Sequence, residues 1–408
     1  MEQSRARLLT AGLVLALAVT ACNILGPPPA PDLRASPSSV TLSAVIGSFQ
    51  RQNVVISNAG DLGTDVRLTL SSPELSVEPE AVFIPAKGSR TVEVTGRCGL
   101  DEGTFDGTLV VDPEEDAPSL SVAVSLDCTA VSSEFDIEVV FLDGSAPTAE
   151  QQAVFELAAA RWSQVIVGDL PDVTSDVDAN SCGTAHPAFQ DLEVDDLVIL
   201  AMVTPIDGEG GVLGQAGPCE LRGSSFLPWF GIMKFDSADM AAMEEDGSLF
   251  SVILHEMGHV LGIGTLWEVW ATSGMNVIIL QDLVTPEGQL CEREDPGADY
   301  RFVGSEANDQ HALLGGDGAL RVESHGGPGT ACGHWDEDTY AHELMTGWAD
   351  AGVSPLSTFT IGSLADMGYV VTYVGADPYT VPEPGSLRAQ GRGFQIVEEL
   401  FTPRLPKP

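Results

Sequence analysis

The sequence predicts an α+β protein in which an all-β, immunoglobulin-like sandwich precedes a larger mixed domain. Three observations carry that expectation. The chain has 408 residues, enough for two or three domains. Short alternating segments punctuated by turn residues fill residues 35–130. Residues 133–382 then mix strand-length apolar runs with segments of helical periodicity.

The sandwich segments are residues 40–42, 52–57, 65–70, 90–94, 107–111 and 120–125. Asn58-Ala59-Gly60 and Ser71-Ser72-Pro73 are among the turns between them. Regular short strands of this kind suggest two packed antiparallel sheets. No catalytic constellation is visible there, so the default roles are a spacer or a binding module.

In the second domain, Phe135-Asp136-Ile137-Glu138-Val139 alternates as a strand with one buried face. Thr148-Ala149-Glu150-Gln151 forms a capping box, with Thr148 as N-cap. The helix it opens carries Phe155, Ala158, Trp162 and Ile166 on one face. Residues 197–203 and 230–235 read as buried strands, and residues 231–235 are the expected sheet edge for an extended peptide. Residues 383–408 form a Pro- and Gly-containing tail, and no internal repeat is seen.

The first residues are a targeting segment. Arg5 and Arg7 precede an apolar run over residues 8–19 that is too short to span a membrane comfortably. It ends in Val19-Thr20-Ala21-Cys22, which resembles the lipobox of bacterial lipoprotein signal peptides. The resemblance implies removal of residues 1–21 and a lipid on the Cys22 thiol. Asn23, not Asp, follows, so inner-membrane retention is not signalled. The expectation is an exported protein on the outer membrane, held off it by a Pro-rich tether over residues 22–34.

Cysteine usage agrees with export. Beyond Cys22 there are six: Cys98, Cys128, Cys182, Cys219, Cys291 and Cys332. An even number outside the cell suggests disulfides. Neighbours within each domain suggest Cys98–Cys128, Cys182–Cys219 and Cys291–Cys332 among the pairings open to six cysteines, which leaves no free thiol to cover a metal. The charge is extreme, with 60 acidic against 18 basic residues and a net charge of -42. Such a surface repels phosphate backbones and excludes nucleic acid as a partner class. It serves solubility or a salty habitat. Structural calcium would also suit carboxylates, but no compact EF-hand spacing supports it.

The chemistry centres on Leu254-His255-Glu256-Met257-Gly258-His259-Val260-Leu261-Gly262. Phe250, Ile253, Leu254, Met257 and Leu261 form an apolar stripe at helical spacing, after a helix start at Gly247-Ser248. Residues four apart share a helix face, so His255 and His259 can address one metal ion. Zinc fits: it accepts imidazole nitrogen and keeps an open position in catalytic sites. Glu256 sits beside the pair as general base and acid for a water the metal activates. The bland alternative is two ordinary histidines on a helix. Gly262 weighs against it, because glycine permits the positive φ that ends a helix sharply.

The third ligand lies further on. Where the compact metzincin pattern has its third histidine, this sequence has Thr265. His311, His325, His334 and His342 follow. The stretch Gly326-Gly327-Pro328-Gly329-Thr330-Ala331-Cys332-Gly333-His334-Trp335, then Glu343-Leu344-Met345-Thr346-Gly347, resembles the leishmanolysin family of metzincin zinc peptidases. That family has a long insertion between the helix motif and the third histidine. The resemblance extends over residues 134–378 and includes Gly264-Thr265-Leu266-Trp267 and residues 361–369. It implies a metzincin-type fold, one catalytic Zn2+, His334 as third ligand with His325 its main rival, and Met345 in the methionine turn beneath the metal. His311 is expected in a surface loop, His342 lies too close to Met345 for the family pattern, and His186 is expected to be structural or exposed.

The function implied is zinc-dependent endopeptidase action on proteins or peptides. A competing reading is a non-catalytic surface lipoprotein that binds through the sandwich and keeps a peptidase-like scaffold. A third is a zinc hydrolase of non-peptide bonds. An intact Glu256 speaks against the second, and the methionine-turn resemblance against the third.

Overall fold

The computed structural model describes residues 30–114, 117–142, 144, 146–267, 280–282, 299–327, 329–383 and 394–395. The expected signal segment, Cys22, most of the expected tether, Cys291 and nearly all of the tail lie outside them.

The first region is a two-sheet sandwich of nine strands: β1 (Leu33–Ser36), β2 (Ser39–Val45), β3 (Phe49–Asn58), β4 (Thr64–Leu70), β5 (Leu75–Glu78), β6 (Ala81–Ile84), β7 (Ser89–Arg97), β8 (Gly103–Pro113) and β9 (Leu120–Thr129). One sheet runs β1-β3-β7-β5 and the other β2-β9-β8-β4-β6. Alternation decides which side chains face inward. Val40, Leu42 and Ala44 of β2, Val66 and Leu68 of β4, and Val92 and Val94 of β7 are buried together in one core. All six expected segments fall in strands. The sequence reading missed β1, β5 and β6, four residues each, which are too short for alternation to declare itself. The Cys98–Cys128 disulfide closes a separation of 30 residues and joins the end of β7 to β9 across the two sheets. A loop of that size is worth about 3–4 kcal/mol in unfolded-state entropy.

The second region starts with β10 (Ile137–Phe141) and α1 (Ala149–Ser163), followed by β11 (Val173–Val177), β12 (Phe189–Val194), β13 (Leu197–Thr204), β14 (Gly214–Leu221), β15 (Pro228–Asp236), α2 (Met240–Asp246) and α3 (Leu249–Leu261). The Thr148 capping box is formed in both directions. Phe155, Ala158, Trp162 and Ile166 are all fully buried, although Ile166 lies past the helix end. Phe155 packs edge-on between Phe141 and Phe235 and ties α1 to the sheet.

The main sheet has the order β10-β13-β15-β14, with β10, β13 and β15 parallel and β14 antiparallel to β15. This corrects the expected edge. Residues 231–235 lie inside the sheet, and β14 is the edge strand. Its sequence, GQAGPCEL, is poor in β-formers and reads as a loop. The edge is where a sheet tolerates such residues: Pro218 has no N–H to offer, and the pairing slips beside it. A second disulfide, Cys182–Cys219, ties β14 to the loop before β12.

The remainder carries β16 (Leu280–Asp282), β17 (Tyr300–Phe302), α4 (Ser305–Leu313), β18 (Leu320–Arg321), α5 (Glu337–Tyr340), β19 (Trp348–Ala349), α6 (Thr358–Met367) and β20 (Phe394–Gln395). Trp267, Phe302, Trp335 and Phe359 form a chain of ring contacts at its centre. Among the described residues no helix is long and apolar enough to cross a membrane.

Candidate metal centre

α3 is buried on every side: all of its residues but Phe250 are inaccessible or nearly so. The expected apolar stripe is therefore only part of a helix enclosed by sheet, α1 and the later segments. Trp162 Nε1 donates to the Leu254 carbonyl at 3.1 Å, and Gly231 of β15 leaves space for Val260. Gly262 ends the helix at φ 113°, and its N–H turns back to Gly258 and His259. Thr265, in the place of the compact pattern's histidine, donates its hydroxyl to the His259 carbonyl at 2.7 Å.

The next turn brings up the third histidine. Gly264 has φ 73°, and a Cβ there would lie 2.0 Å from the Gly333 carbonyl oxygen. Only glycine lets these two backbone stretches touch. His334 follows directly. Its strand-like neighbour Trp335 bridges to Val322 on one side and Thr346 on the other. Cys332, two residues before His334, is disulfide-bonded; its expected partner Cys291 lies outside the described residues.

His255, His259 and His334 converge with Nε2 to Nε2 distances of 3.0 Å (255 to 259), 3.1 Å (255 to 334) and 3.1 Å (259 to 334). Each ring is fixed from behind. The Nδ1 of His255 donates to the Leu344 carbonyl at 2.7 Å, that of His259 to Ile263 at 2.8 Å, and that of His334 to Thr330 at 2.8 Å. A carbonyl can only accept, so the proton sits on Nδ1, and in a neutral ring Nε2 then presents a lone pair. Three buried lone pairs about 3 Å apart repel one another unless a cation is shared between them. The spacing is near what three bonds of about 2.0–2.1 Å to one tetrahedral ion require, and an all-imidazole set suits zinc. The residues fit the metal the motif implies.

Glu256 is fully buried beside this triangle. A Cβ on Gly214, the first residue of edge strand β14, would lie 2.3 Å from Glu256 Oε1. The carboxylate therefore occupies the space between the helix and the sheet edge. Met345 is fully buried beneath the helix; a Cβ on Gly258 would meet its Sδ at 2.9 Å. The glycine inside the motif thus makes room for the methionine turn.

The other histidines stay away from the centre. His325, the rival third ligand, is exposed and lies 3.3 Å from Glu323. His342 is half-buried against Tyr379. His186 is structural: its Nδ1 faces the Pro187 carbonyl at 2.8 Å, and its ring stacks on Phe189. His311 departs from expectation. It is buried on α4, with Nδ1 at 3.2 Å from the Gly318 carbonyl and Nε2 at 3.3 Å from the Tyr340 hydroxyl. The nearby glycines, taken as signs of a surface loop, instead let the chain fold over the ring; a Cβ on Gly316 would sit 2.0 Å from His311 Nε2. Burial holds the His311 pKa below its usual value.

Two groups near the centre escaped the sequence reading. One is Gly214, in a strand that reads as a loop. The other is the role of Glu343, which stands in the 343–347 stretch of the family resemblance and whose buried carboxylate accepts from the Met345 N–H and from Ser357 and Thr360.

Three similar solved structures match with low scores. The ASH/PapD-like domain of human CEP192 is 12% identical over 31% of this chain and 100% of that one, with a TM-score of 0.23. The Caenorhabditis elegans MSP-domain-like protein SSP-19 is 21% identical over 24% and 98%, with a TM-score of 0.19. The E. coli chaperone DraB is 14% identical over 24% and 53%, with a TM-score of 0.20. None of these carries an argument about this chain. No curated protein sequence matches it. The family model for leishmanolysin, in contrast, matches residues 171–380, just over half of the chain and the part that holds the three histidines. With this match laid over the buried tri-histidine centre, the chain belongs to the leishmanolysin family of metallopeptidases.

Proposed function

We propose that the protein is a zinc-dependent endopeptidase of the cell envelope, with His255, His259 and His334 holding the metal and Glu256 acting as general base and acid. The observation that carries this reading is the buried triangle of imidazoles with every Nδ1 committed to a backbone carbonyl. Zinc bound there supplies a Lewis acid for the scissile carbonyl and makes water a nucleophile near neutral pH. Glu256 takes the proton of the attacking water and passes it to the leaving amine. Gly214 lets the carboxylate reach that position. β14 has a sheet neighbour on one side only, and an extended substrate pairing along its other side would make a polypeptide fit the site better than a compact ligand. Met345 packs against Gly258, the residue before His259, in keeping with a methionine turn beneath the metal. The Cys22 lipobox supports export and lipid anchoring, with proteins or peptides outside the cytoplasm as substrates.

The test is metal content and casein cleavage of the full chain beside Glu256→Ala. The wild type is expected to hold about one zinc and to cleave, and chelator should abolish cleavage. Glu256→Ala should keep the zinc and lose cleavage by several orders of magnitude. Zinc binding without cleavage by the wild type would favour the non-catalytic surface lipoprotein. A wild type that binds no zinc would sink the ligand assignment.

A further inference from the structure

Glu343 is buried completely, two residues before Met345, and the reaction as proposed makes no use of it. Four donors converge on its carboxylate. Oε1 accepts from the Ser357 hydroxyl at 2.6 Å, the Ser357 N–H at 3.2 Å and the Thr360 hydroxyl at 2.5 Å. Oε2 accepts the Met345 N–H at 2.7 Å. Ser357 is the N-cap of α6, where its oxygen also accepts the Thr360 N–H. The carboxylate thus lies at a helix N-terminus, which favours negative charge. Burial pushes the Glu343 carboxyl up in pKa, and the hydrogen bonds pull the other way.

The network runs on to the metal centre by two routes. Leu344 lies between Glu343 and Met345, and its carbonyl accepts the Nδ1 proton of His255. Fixing the Met345 N–H therefore fixes the peptide that orients His255. On the other side, Trp335 follows His334 directly. Its Nε1 donates to Thr360 Oγ1 at 2.8 Å, and its backbone N–H donates to the Met345 carbonyl at 2.9 Å. A single carboxylate therefore braces the methionine turn, the support of the first histidine and the neighbour of the third.

We infer that Glu343 is a positioning residue for the metal centre: through Met345, Leu344 and the Ser357–Thr360 pair it holds the His255 and His334 rings in the geometry that binds zinc. The inference rests on the proposed zinc site. It differs from a role in folding alone because the ligand geometry itself depends on the group. Outer partners of metal ligands typically carry 10–100-fold in affinity or activity.

The test uses the full chain and Glu343→Gln, which preserves shape. The amide cannot accept from the Met345 N–H while its oxygen faces the two hydroxyls, so one brace is lost whichever way it turns. Zinc affinity by chelator competition should weaken about 10–100-fold, kcat should fall by more than KM rises, and the visible spectrum of the Co2+-substituted protein should shift. Thr360→Val, which removes the hydroxyl linking Trp335 to Glu343, should move the same readouts in the same direction by less, and it serves if Glu343→Gln does not fold. Wild-type zinc affinity and Co2+ spectrum in both variants, with only a lowered melting temperature, would overturn the inference and leave the zinc site standing. A wild type without zinc affinity would overturn both.

Discussion

Glu256 has room for its carboxylate because residue 214 has no side chain. A Cβ there would stand 2.3 Å from Oε1 and 2.7 Å from Cδ of Glu256. The obstructed atoms are the far end of a flexible side chain, so the chain can relieve the clash by turning Glu256 aside. Under the proposed mechanism the cost then falls on catalysis, because a general base must stay within hydrogen-bond reach of the proton it takes. Gly214→Ala should keep zinc and fold normally yet lose about 10–100-fold in kcat, as displacements near 1 Å commonly do. Full activity in a zinc-loaded Gly214→Ala protein would refute this account of the clearance. The two helix histidines are legible from spacing, since residues four apart on a helix can hardly avoid sharing a face, whereas His334 is implied only by the family resemblance. Gly214 was not legible. A glycine announces freedom of backbone, and nothing in the sequence says which distant side chain needs the vacancy.

The loop that leads into β14 is held as firmly as the helix. Asp236, buried at the end of β15, accepts the N–H groups of Ile206 at 3.1 Å, Asp207 at 2.8 Å and Gly208 at 2.8 Å on one oxygen, and that of Ala238 at 2.9 Å on the other. Asp239 adds the Gly210 N–H at 2.8 Å. Burial alone would raise the Asp236 carboxyl, but its four backbone donors together outweigh that and hold its pKa below the usual range. The sign follows from linkage. A depressed carboxyl stabilises the fold above its unfolded pKa, about 3.9, and the contribution is lost as pH falls toward the lower folded value. Asp236→Asn should therefore melt below the wild type at pH 7, and the gap should close as pH drops through that window. Melting curves of the two proteins across pH 2–7 check it; a gap independent of pH would mean the charge contributes nothing. At this scale the sequence revealed elements whose local pattern agrees with their environment, such as the capped helix at Thr148 and the alternating strands of the sandwich. It misled where tertiary surroundings override pattern. β14 survives with glycine and proline because it is an edge braced by a disulfide, and α3 is buried all round because three layers enclose it.

The two regions of the molecule meet at a charge pair. Asp377, near the end of the second region, accepts the backbone N–H of Phe49 at 3.2 Å, and Phe49 opens β3 of the sandwich. Its other oxygen accepts the Leu356 N–H at 2.9 Å and lies 3.3 Å from Arg161 Nη2 of α1. Arg161 is fully buried, and Gly47 in the β2–β3 turn is a glycine because a Cβ would lie 2.8 Å from Arg161 Cβ. The sandwich is thus seated on the second region through a buried ion pair and does not hang from a free linker. Removing one partner leaves a buried charge uncompensated, so Asp377→Ala should cost about 3–5 kcal/mol. Replacing both should cost less, because no buried charge is then left uncompensated and Arg161 Nε and Nη1 have no hydrogen-bond partner to lose, although the Phe49 and Leu356 N–H groups lose their acceptor in either case. Arg161→Met with Asp377→Leu should recover the part of the loss that comes from the unpaired charge. Urea denaturation followed by tryptophan fluorescence reads the second region alone, since all six tryptophans lie beyond residue 133. Hydrogen exchange at β3 reads the sandwich. If the single variant loosens both regions and the double variant restores both, the junction couples them as one cooperative body. If β3 exchanges as in the wild type throughout, the sandwich is stable by itself and the pair serves only the second region.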